Sequence, residues 1–63
     1  MSPMQALTHL HSVAELGNEL REDAAKSLEE GDVDETESFL YAAQLATDLA
    51  EWLTTFVADN KKW

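Results

Sequence analysis

Apolar positions along the chain mark two long helical periods. The stronger lies in the C-terminal half, where Phe39, Ala42, Ala46, Leu49, Leu53 and Phe56 recur at a 3-4-3-4-3 spacing. That spacing suits a helix packed in a bundle or coiled coil. A second stripe, Ala43, Ala50 and Val57, lies beside it, and Leu45 and Trp52 lie on its other flank. Polar residues are confined to a narrow strip of Gln44, Thr47, Asp48, Glu51, Thr54 and Thr55. Such a helix needs cover on most of its circumference.

The N-terminal half is amphipathic on one side only. Ala6, Leu7, Leu10, Val13, Leu16, Leu20, Ala24 and Leu28 form its apolar stripe, opposite Glu15, Asn18, Glu19, Glu22, Asp23, Lys26, Glu29 and Glu30. Ser2, Pro3 and Gln5 supply a capping box with proline at the first helical position. Gly31 suits the position just past a helix end. Asp32 with Glu35, or Asp34 with Glu37, offers a cap and an acidic first turn for the next helix. The pattern predicts one all-α domain over residues 1–63: a helix over about 3–30, a turn at 31–33 and a helix over about 34–60. So short a connection makes the helices antiparallel neighbours in a hairpin. Gly17 falls inside the first apolar stripe. It is either a close crossing against Ala42, Ala43 and Ala46 or a tolerated weak spot.

The two halves are unequal, and this sets the expected assembly. One apolar stripe on the first helix covers only one side of the second. The excess on the second helix is expected to meet another copy of the chain, giving a two-fold four-helix bundle. Leu45, Leu49, Trp52, Leu53 and Phe56 are the expected dimer core. Length supports this, because 63 residues lie near the lower limit for folding alone. The chain has no cysteine, so neither a disulfide nor a thiolate metal site adds stability.

Charge narrows the partners. Thirteen acidic and four basic residues leave a formal net charge of −9. Direct contact with nucleic-acid phosphates or with an anionic membrane needs clustered Lys and Arg, and is not expected. A basic partner, such as the nucleic-acid-binding face of another protein, is compatible. The start Met-Ser-Pro-Met-Gln lacks a basic region followed by a long apolar run, so a cytoplasmic location is expected. Gln44, Asp48 and Glu51 interrupt the apolar helix, which argues against a membrane span.

Catalytic and metal chemistry find little support. Asp32, Asp34 and Thr36 match the start of a calcium loop. Its sixth position is Glu37 instead of Gly, and its twelfth is Ala43 instead of an acid. His9 and His11 stand two apart and point in different directions on a helix. No phosphate-binding glycine loop, H-E-x-x-H or Glu-x-x-His motif occurs. No enzyme activity, cofactor or metal is expected. Tyr41 is different. It shares the polar strip of the second helix with Glu37, Gln44 and Asp48, and Leu40 borders that strip. An aromatic and a leucine ringed by polar groups resemble a binding hot spot. Trp63 is a second aromatic candidate for partner contact. The alternatives are that Tyr41 lies along the neighbouring helix and that Trp63 frays or caps the bundle.

In outline the chain resembles the Rop-type plasmid copy-number regulators, helical hairpins that dimerise into four-helix bundles. Their RNA recognition uses a basic and polar helix face. Here that face would carry Glu15, Glu19, Glu22 and Asp23, so the resemblance covers the fold and not the RNA function. Ser38-Phe39-Leu40-Tyr41-Ala42-Ala43 with Leu49-Ala50-Glu51-Trp52-Leu53 also resembles the second helix of small acidic bacteriophage proteins that disable host factors. These include the two-helix quorum-sensing anti-activator type, anti-CRISPR and anti-restriction proteins. That resemblance implies a non-catalytic inhibitor of a host transcription regulator or motor, acting in the host cytoplasm.

The expected function is therefore a homodimeric hairpin that binds and regulates a larger protein, such as a DNA-binding regulator, through Glu37, Leu40, Tyr41, Gln44 and Asp48. Three alternatives stay open: a DNA mimic of the anti-restriction or anti-CRISPR type, a small-molecule sponge, and a structural subunit of a larger assembly.

Overall fold

The computed structural model describes residues 1–60 and contains two α-helices, α1 (Pro3–Glu29) and α2 (Val33–Asp59). Local sequence accounts for both ends of α1. Ser2 Oγ accepts from the Gln5 amide at 3.1 Å, and the Gln5 side chain accepts from the Ser2 amide at 2.8 Å. This capping box satisfies two amides that the helix leaves free. At the other end Gly31 adopts φ +78°. Its amide donates to Leu28 O, and the Asp32 amide donates to Ser27 O at 2.9 Å. Both bonds of a Schellman closure are thus present, built on a glycine in the left-handed region.

Asp32 then serves both helices. Its amide closes α1, while its side chain accepts from the Glu35 amide at 3.0 Å and caps α2. Of the two caps the sequence offered, Asp32 with Glu35 is the one formed. The turn therefore occupies 30–32, one residue earlier than expected, and α2 begins at Val33. The junction is tied further by Thr36 Oγ1 donating to Asp32 O at 2.7 Å and by Ser27 Oγ donating to Glu35 Oε1 at 3.0 Å.

So tight a turn folds α2 back along α1 as an antiparallel hairpin with Cα extents of 49 × 13 × 13 Å. The seam between the helices is a heptad pattern. On α1 it follows Pro3, Ala6, Leu10, Val13, Gly17, Leu20, Ala24 and Ser27, all buried or half-buried. On α2 it follows Thr36, Phe39, Ala43, Ala46, Ala50, Leu53 and Val57, likewise buried or half-buried. Small residues dominate the middle of this seam and permit a close approach. A Cβ built on Gly17 would lie 3.7 Å from Ala46 Cβ. Of the Ala42, Ala43 and Ala46 cluster expected opposite Gly17, Ala46 is the residue that this contact involves.

This seam corrects the stripes read from sequence. Leu28 and Leu16 do not join the α1 seam; Leu28 is exposed and Leu16 about half-exposed. Ser27 is buried in place of Leu28, its hydroxyl satisfied by Glu35. On α2 the seam takes Phe39, Ala46 and Leu53 from one expected stripe and Ala43, Ala50 and Val57 from the other. Leu53 is the only large apolar side chain among the described residues that the hairpin buries, at 2 % exposure. It was expected in a dimer core, but its surface is already spent on the intrachain seam. No helix among the described residues is long and apolar enough to cross a membrane.

Candidate interaction surface

Beyond the seam the hairpin has two unlike sides. One carries a shallow depression of about 180 Å³ lined by Ala14, Gly17, Asn18, Arg21, Ala46 and Thr47, among others. It exists because glycine and alanine leave space between the helices. Arg21 spans it: Nη2 donates to Thr47 Oγ1 at 2.6 Å and Nη1 to Asn18 Oδ1 at 3.4 Å. Thr47 Oγ1 in turn donates to Ala43 O at 3.1 Å. Thr47 thus belongs to this interhelical bridge and is half-buried, although its polarity had placed it on the solvent strip.

At about 100° per residue, the opposite side receives Leu16 and Leu20 from α1 and Ala42, Leu45, Leu49, Trp52 and Phe56 from α2. The five α2 residues repeat at alternating spacings of three and four, a second heptad stripe beside the seam. Leu45, Leu49 and Trp52 are each about half-exposed. Trp52 stacks on Phe56, with ring centroids 5.8 Å apart and planes inclined by 23°. The excess apolar surface expected on α2 is therefore present, and it lies on one flank. Leu16 joins that flank from α1. The apolar stripe of α1 includes Leu16 by its spacing; the signal against its place in the seam is Gly17, whose position in the 3-4 repeat leaves Leu16 one step off it.

The residues expected to contact a partner lie on the back of α2, nearer the turn. Tyr41 is 68 % exposed and Leu40 52 %. Between them runs the polar line of Glu37, Gln44 and Asp48, in which Gln44 Nε2 donates to Asp48 Oδ1 at 3.0 Å. Tyr41 precedes Leu45 by one helical turn, so it also edges the apolar flank. Leu40 is on the other side of the line, about two turns from Val33, which is also exposed. The structure thus gathers five of the six expected contact residues on one helix surface; Trp63 lies outside the described residues. Glu29, Glu30, Asp32, Asp34, Glu35 and Glu37 are all exposed and surround the turn, which gives this end of the hairpin a concentrated negative charge. No three His, Asp or Glu side chains among the described residues gather as metal ligands.

Comparison with known proteins returned no matching family model, no matching curated protein and no matching solved structure.

Proposed function

We propose that this protein is a non-catalytic interaction module. Two hairpins associate through the apolar flank of α2, and each presents Leu40 and Tyr41, framed by acids, to a larger protein with a basic surface. Binding would regulate that protein by covering a functional face, as an inhibitor of a transcription regulator or motor does. The single observation that carries this reading is the exposure of Tyr41 beside Leu40 on a polar, acidic helix surface. Large aromatic anchors within a polar rim contribute most of the affinity in many interfaces. The net charge of −9 would add attraction and speed of encounter with a basic face.

Affinity capture from the native cell, run in parallel with wild type and Tyr41→Ala, tests the reading. The expected result is a protein retained by wild type and lost from Tyr41→Ala, while helicity and mass in solution stay unchanged. Retention of the same protein by Tyr41→Ala, with release as salt rises, would contradict the hot spot. That outcome would favour the DNA-mimic reading, in which exposed carboxylates imitate phosphates. The small-molecule reading draws less support from the geometry. The depression of about 180 Å³ falls below the ~300–1,000 Å³ of ordinary ligand pockets.

A further inference from the structure

The isolated hairpin buries too little of itself. A compact chain of this mass would expose about 4,000 Å², whereas the hairpin exposes 4683 Å². Its radius of gyration is 14.4 Å, against roughly 11 Å for a compact fold of this length. The surplus area, several hundred Å², approaches the ~800 Å² each member contributes to a standard interface. On one flank, Leu16, Leu45, Leu49 and Trp52 form a continuous run of exposed large apolar side chains, with Phe56 half-buried beside them.

A two-fold axis can lay one such flank on another in two ways. In the first, the axis runs along the helices. α2 then packs on α1 of the second copy, and both turns lie at the same end. In the second, the axis crosses the helices. α2 then packs antiparallel on α2 of the second copy, and the turns lie at opposite ends. Two observations choose between them. Six of the nine residues from 29 to 37 are acidic and all six are exposed. Placing both turns together would set these like charges on helices ~8–10 Å apart, about one Debye length of ~8 Å, whereas opposite ends hold them about 50 Å apart. The stripe also tapers, from Ala42 near the turn to Trp52 and Phe56 near the open end. Its midpoint is Leu49. Antiparallel pairing about Leu49 sets Ala42 against Phe56 and Leu45 against the Trp52 level of the other copy, so small meets large.

We infer that two copies pair α2 against α2 antiparallel about Leu49, with their acidic turns at opposite ends of a four-helix bundle. The inference rests on the self-association proposed above and adds its geometry. It also sets the two Tyr41 positions about 24 Å apart along the bundle, from 1.5 Å per residue on either side of Leu49.

The chain has no cysteine, so a single introduced thiol reports one position. Glu30→Cys carrying a spin label, on the exposed turn, separates the arrangements by dipolar electron resonance. The expected distance is about 45–50 Å, from 1.5 Å per residue along α2 on either side of Leu49. A distance below about 30 Å, as neighbouring helices in one bundle end require, would overturn the antiparallel arrangement and leave self-association standing. The absence of any dipolar signal, with sedimentation giving the 7.0 kDa of one chain, would overturn the self-association on which it rests.

Discussion

Leu53 and Trp52 are neighbours in sequence and opposites in environment: Leu53 is 2 % exposed in the seam, and Trp52 is 57 % exposed on the outer flank. Their truncations should behave differently. Leu53→Ala removes the one large side chain the hairpin buries among the described residues and should cost about 2–5 kcal/mol. That loss should appear at every protein concentration in urea unfolding. Trp52→Ala should cost little at high dilution, where only its stacking on Phe56 is lost, and more at concentrations where wild type self-associates, because association adds stability by mass action. Equal losses from both variants at high dilution would place Trp52 in the hairpin core.

Gly17→Ala should stabilise the protein by up to about 1 kcal/mol, the helix-propensity difference between the two residues. The added Cβ would make ordinary contact with Ala46 Cβ at 3.7 Å and press on Arg21 Nη1 at 3.3 Å, the far end of a flexible side chain that has to shift within its bonds to Asn18 and Thr47. Gly17→Leu should instead force the helices apart and destabilise by roughly 1–3 kcal/mol. Thermal unfolding of both variants checks the pair; a destabilised Gly17→Ala would mean the seam tolerates no added methyl.

Gly31→Ala should cost about 1–2 kcal/mol, because φ +78° places a Cβ against its own backbone. Open space around Gly31 means no neighbour adds to the cost. Urea unfolding measures it, and an unchanged midpoint would show that the turn can close without the left-handed residue.

Two helices, their caps and their antiparallel turn are legible in the sequence because each rests on local chemistry. Ser2, Pro3 and Gln5 begin α1, Gly31 ends it and Asp32 begins α2. The seam is less legible, and the reason is physical. α2 is apolar on two adjacent flanks, so Phe39, Ala42, Ala46, Leu49, Leu53 and Phe56 form as regular a series as the true one. What selects the seam is size matching across the hairpin. Gly17 and Ala24 on α1 require close approach, so Ala43, Ala46 and Ala50 turn inward and Leu45, Leu49 and Trp52 are left outside. Ser27 and Thr36 are also hard to place, because hydroxyls look like surface residues until their acceptors, Glu35 Oε1 and Asp32 O, are known. The exposure of Leu40 and Tyr41 was legible, since both flank the polar line of Glu37, Gln44 and Asp48 and neither falls in the seam.

Thr47→Val should remove the bond that Arg21 makes across the depression, together with the hydroxyl's own bond to Ala43 O, while keeping the side-chain shape. A loss of about 0.5–1.5 kcal/mol is expected for one such hydrogen bond. Arg21→Met should then add little further loss in the double variant, since both changes break one contact. Fully additive losses would show that the bridge is not formed in solution.

Self-association through the α2 flank is the central claim, and sedimentation equilibrium at low micromolar concentration tests it most directly. Wild type should sediment at twice the 7.0 kDa chain mass, and Leu49→Glu, altered at the centre of the flank, should shift towards the single-chain mass. A well-folded, fully helical wild type at 7.0 kDa under the same conditions would contradict the account.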